Sequence, residues 1–162
     1  MKIWGFFCDG QLHYAVLPRD GRRTTNMTVL RYGALVKAKF VQWRRECLPR
    51  TRRVVLVQDY EKCLWNDASL KALAGAGCDV LKRHTKYSPD LNVIEVWWNR
   101  LRQLLEARAP ATTETRPQFV VRLRRTVTWM NRSLRAEGRR LCRGQKRRAR
   151  AVLLLRGAKC KW

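Results

Sequence analysis

Apolar positions along the chain follow two rhythms. Early on, "KIWGFFC" and "QLHYAVL" are β-rich runs on either side of Asp9-Gly10, which predicts a two-stranded hairpin. Beyond a second Asp-Gly pair, Met27, Leu30, Leu35, Phe40 and Trp43 recur at roughly helical spacing. They predict a helix from about Asn26 to Glu46, with Thr24 or Thr25 as cap and Gly33 as its weak point. "RRVVLVQD" is a continuous β-branched run suited to a buried central strand, and it ends on Asp59. "NDASLKALAGAG" reads as a short helix stopped by Gly75 and Gly77, and "CDVL" as a short strand. Strand, helix and strand in that order predict a parallel crossover in an α/β fold.

The helical rhythm then takes over. After "SPDLN" comes a helix whose apolar stripe is Ile94, Trp97, Leu101, Leu104 and Leu105. With Asn92 as its N-cap, Glu95 falls at N3, a variant of the capping box. A last helix is predicted from about Arg116 to Leu141, with Phe119, Leu123, Val127 and Met130 on one side. "RGQKRRAR" after it reads as irregular and basic. Trp97, Trp98 and Trp129 suggest base stacking, but Trp97 and Trp129 fall on or near apolar faces, so core packing is expected. No internal repeat is present, and 162 residues suit one compact domain.

Charge changes the picture. Thirty-six Lys and Arg against 12 Asp and Glu give +24, which points to a polyanionic partner, above all nucleic acid. From Arg116 onward there are 16 Lys or Arg and a single acid, Glu137. Arg122, Arg124, Arg125, Arg132, Lys146, Arg147, Arg148 and Arg150 are the candidate phosphate contacts. "KRRAR" (146–150) reads equally as a nuclear-import signal.

Six cysteines without a C-x-x-C pair, and only His13 and His84 beside them, fit neither a zinc site nor a disulfide framework. Asp9 interrupts the first apolar run, so no secretory signal is expected, and "AVLLL" is too short to span a bilayer. The expected setting is the nucleus or cytosol, with thiols reduced and no membrane partner.

Two acids carry the candidate chemistry. A strand-end carboxylate at Asp59 and a first-turn carboxylate at Glu95 are of the kind that can converge on hard divalent cations. Two such ions support in-line attack on a phosphodiester, one activating the nucleophile and the other stabilising the leaving oxygen.

At these residues the sequence resembles a known family. "WGFF" near the start, "LVQDYEKC" at 56–63 and above all "SPDLNVIEVWWNRLRQLLEAR" are similar, in that order, to landmarks of Tc/mariner DDE transposases. The resemblance covers about residues 3 to 110. It implies that Asp59 and Glu95, with 35 residues between them, are the second and third acids of the catalytic triad. It also implies an RNase H-like α/β fold, lacking its first strand here, as a partial catalytic domain over residues 1–110, with a basic helical extension over 111–162. The implied cofactor is Mg²⁺ or Mn²⁺ in a two-metal site, and the implied partners are transposon ends and target DNA. A homodimer is left open.

The pattern departs from the family at named places. The first acid belongs to a strand upstream of "WGFF" and has no counterpart here. Asp9 and Asp20 lie in turns, at the wrong distance from Asp59 to replace it. Tyr60, Glu61, Lys62 and Leu64 differ from the family residues that follow the second acid, and Val93 stands where the family has Pro. A two-acid site should bind at least one ion weakly, so the expectation is either an incomplete transposase catalytic domain with little activity of its own, or a non-catalytic nucleic-acid-binding protein derived from one.

Overall fold

Asp9 and Gly10 both take positive φ, 50° and 77°, the turn geometry that suits a two-residue hairpin. They join β1 (Ile3–Cys8) to β2 (Gln11–Val16), as the sequence predicts. The computed structural model describes residues 2–18, 26–48, 54–81 and 91–154. The chain forms two compact units, Met1–Phe6 with His13–Ser88, and Phe7–Leu12 with Pro89–Trp162. One domain was the expectation from length, and the division falls at residue 88 rather than at 110. The reason is α4 (Val93–Ala107), whose apolar stripe packs on the helices that follow it.

In the first unit, α1 (Val29–Leu35), a π-helical segment (Val36–Phe40) and α2 (Val41–Cys47) run on without a break. The cap is Thr28, which accepts from Arg31 N, whereas Thr24 and Thr25 lie outside the described residues. Gly33 is not where the helix departs from α geometry. The irregularity comes at 36–40, where the buried positions Tyr32, Val36 and Phe40 are four apart. In an α-helix each step of four overshoots a full turn by roughly 40°. A wider π turn keeps such residues on one face.

β3 (Val54–Leu56) and β4 (Cys78–Val80) are parallel, with Val54 opposite Cys78 and Leu56 opposite Val80. They are linked through α3 (Asp67–Gly75), which packs on β4 and α1 and is capped by Asn66. This is the predicted crossover, although the described strand ends at Leu56 and not at Asp59. Aromatic rings dominate the rest of the unit's core. Trp4 stacks on Trp43 at 5.6 Å between centroids, and Phe6 meets Phe40 edge-on at 4.8 Å. Among the described residues the sheets are two separate pairs, β1 with β2 and β3 with β4.

The second unit is helical around the hairpin tip. Trp97, Leu101, Leu123, Val127, Met130 and Leu12 form its core. The predicted helix 116–141 is divided into α5 (Arg116–Ser133) and α6 (Arg135–Arg143) at Leu134. Near that break the Asn131 side chain turns to the hairpin, accepting from Leu12 N at 2.8 Å and donating to Leu12 O at 2.9 Å. "RGQKRRAR" is not irregular, because Gln145–Leu154 forms α7. Past Gly144, Gln145–Leu154 is built almost wholly from Gln, Lys, Arg, Ala and Leu, good helix formers that override the charge, with Val152 the one exception. Among the described residues no helix is long and apolar enough to cross a membrane.

Candidate active site and basic face

Asp59 lies three residues past β3, beyond the carboxyl end of a parallel strand, where open α/β sheets commonly bind ligands. The loop that carries it is fastened from several sides. Buried Gln58 accepts from the Tyr32 hydroxyl at 2.8 Å and donates to Leu64 O at 3.2 Å. Trp65 Nε1 donates to the Asp59 carbonyl at 2.9 Å, and Ser69 Oγ to Cys63 O at 2.6 Å. Tyr60 stacks on Trp65 at 4.9 Å. Burial pushes the Tyr32 phenol well above its ordinary range, so it stays a hydrogen-bond donor to Gln58. The backbone of residues 58 to 65 is therefore held while Asp59 itself is exposed. Tyr60, a departure from the family pattern, is part of this fastening.

Glu95 stands at N3 of α4, half-buried. Asn92 is the N-cap as predicted, and its side chain accepts from Ile94 N at 3.4 Å. That is the N2 donor, whereas a capping box engages N3. Asp59 belongs to the first unit and Glu95 to the second. Among the described residues no three His, Cys, Asp or Glu side chains come together as a group that could hold a metal ion.

Asp9 serves a different purpose. Its carboxylate accepts from Arg139 Nε and Nη2 at 2.8 Å and from Arg135 Nη2 at 2.6 Å. These guanidiniums, Arg139 foremost, hold its pKa at about 2. Asp9 is thus an anchor between the hairpin tip and α6. Asp20 and His84 lie outside the described residues.

The eight candidate phosphate contacts separate into two groups. Arg122 pairs with Glu114 at 2.5 Å, donates to Leu105 O at 2.6 Å and lies over the Phe119 ring. Arg148 is buried, donating to Leu141 O and to Gln145 Oε1. Both guanidiniums are held inside the fold. Arg124, Arg125, Arg132, Lys146, Arg147 and Arg150 are exposed.

Of the tryptophans, Trp97 is fully buried as expected. Trp129 departs from expectation, with 38% of its surface exposed and the Arg108 guanidinium 4.7 Å above its ring. Its position one step off the apolar stripe of α5 was the signal in the sequence, and Arg108 gave none.

His13 Nε2 lies 3.0 Å from Cys47 Sγ, with Glu46 3.8 Å from His13 Nδ1. This trio was not visible in the sequence because its members are 34 positions apart. Cys47 is the last residue of α2, and burial lowers the His13 pKa. The contact packs the hairpin on α2.

Compared with known proteins, the chain matches no protein-family model and no characterised protein sequence.

Proposed function

We propose that the chain is a catalytic-domain segment of a DDE transposase of the Tc/mariner kind, acting on DNA, with Asp59 and Glu95 as two of its metal-binding carboxylates. The observation that carries this reading is the placement of the two acids. Asp59 is displayed on a fastened loop beyond the carboxyl end of a parallel strand, and Glu95 sits in the first turn of the amphipathic helix α4. The ordered landmarks of the sequence single out the same two residues. The exposed basic residues of α5 and α7 supply the polynucleotide contact, and the nucleus is the compartment that fits. When bound, the metal would polarise the phosphodiester and lower the pKa of the attacking water.

A second reading rests on its own observation. α5 carries no acidic residue, and its exposed arginines suit a phosphate backbone whether or not any bond is cut. On that reading the chain is a non-catalytic nucleic-acid binder of transposase origin.

Nicking of supercoiled plasmid in Mn²⁺ separates the two. The first reading predicts relaxed circles with the wild-type chain and none with Asp59→Asn or Glu95→Gln. Plasmid that is bound but never nicked would leave the second reading standing and sink the first.

A further inference from the structure

Trp129 is large, apolar and partly exposed, at 38%, on a face of α5 that carries only positive charge. Helical spacing puts Arg125 one turn before it and Arg132 one turn after it, and both are exposed. Arg108 sits on its ring, so the indole is already oriented and loses little freedom on meeting a ligand. Beside it, Gln11, Thr128, Asn131, Arg132 and Arg135 line a shallow groove. Two of these are engaged within the unit, Asn131 with Leu12 and Arg135 with Asp9. Thr128 and Arg132 are exposed, a hydroxyl and a guanidinium at the groove's edge.

An exposed aromatic ring flanked by cations fits one class of ligand better than any other. A duplex keeps its bases stacked on each other and offers mainly phosphates, which arginines alone would satisfy. An unpaired strand offers a base face for the indole and a phosphate for the neighbouring guanidinium at the same time. A protein partner would need an acidic surface and gives no reason for the indole to be held open between arginines.

We infer that the Trp129 face of α5 is a binding site for single-stranded nucleic acid, in which an unpaired base stacks on Trp129 and the adjoining phosphates lie on Arg125 and Arg132. The inference rests on the polynucleotide reading above and narrows it to strands that are open, as at a cut or melted end.

The test is fluorescence anisotropy with a labelled oligothymidylate of about 15 nucleotides, within the usual footprint of such sites, beside a duplex of equal length. Trp129→Ala should weaken single-strand binding by about 5- to 150-fold, the range for one lost base stack. It should leave duplex binding unchanged, and Trp129→Phe, which keeps a π-face, should retain most of the single-strand affinity. The circular dichroism melt of Trp129→Phe serves as the folding control. Equal weakening for both ligands, or none for either, would overturn the stacking site while leaving the polynucleotide reading standing. A wild-type chain that bound neither ligand would overturn the polynucleotide reading and this inference with it.

Discussion

Gly33 in α1 and Gly138 in α6 are both helical glycines, yet they stand in opposite surroundings. A methyl group at Gly33 would meet nothing within 4 Å. At Gly138 it would lie 2.7 Å from Gly10 Cα and 2.9 Å from Gly10 O. The first unit is held by aromatic rings and a buried Tyr32–Gln58 hydrogen bond, with its helical glycine idle. In the second, two backbones touch at the hairpin tip, and Arg135 and Arg139 close on Asp9 around that contact. A basic block that looks uniform in sequence is therefore two populations, arginines that build the fold and arginines that face solvent.

The largest effect should come from Gly138→Ala. Neither facing backbone can yield cheaply, so the variant should lose about 3 kcal/mol in a denaturant melt, at the upper end of overpacking costs. A loss near zero would mean that the hairpin tip is not seated on α6.

Next in size is the acid dependence of Asp9. Its folded pKa of about 2 lies below the ordinary value of 3.8, so its stabilisation is present above pH 3.8 and is lost as pH falls towards 2. The side chain is 32% exposed, so solvent screening trims the effect to about 1 kcal/mol. Asp9→Asn tolerates the positive φ and should be less stable than wild type at neutral pH, with the gap closing by about pH 2. Parallel stability curves for the two proteins would rule out the clasp.

The smallest effect has the opposite sign. Gly33→Ala should stabilise by about 0.5–1 kcal/mol, because alanine restricts the unfolded chain and meets no neighbour. A destabilised variant would show that α1 is more crowded than this.

Much of this architecture was legible in the sequence. The Asp-Gly hairpin, the crossover through α3, the Asn92 cap and the burial of Trp97 follow from local turn chemistry and periodicity. What the sequence hid was set by contacts distant along the chain. Leu134 breaks a helix whose periodicity continues through it, in company with Asn131, which bonds a hairpin 119 residues away. Arg122 and Arg148 look like their exposed neighbours, and only tertiary packing turns them inward. The π segment reflects buried positions spaced by four, which a hydrophobicity pattern alone does not separate from an α-helix. At the candidate site the landmarks named Asp59 and Glu95, but not the fastening of the Asp59 loop by Tyr32, Trp65 and Ser69.

The most direct measurement is the salt dependence of duplex DNA binding by the wild-type chain and by a variant with Arg124, Arg125 and Arg132 all changed to Gln. The account predicts measurable affinity that falls steeply with salt, and a log–log slope shallower by about 2.7 in the variant, roughly 0.9 for each phosphate contact removed. An unchanged slope, or a wild-type chain that does not bind DNA at all, would contradict the claim that this outward-facing charge is there to hold a polynucleotide.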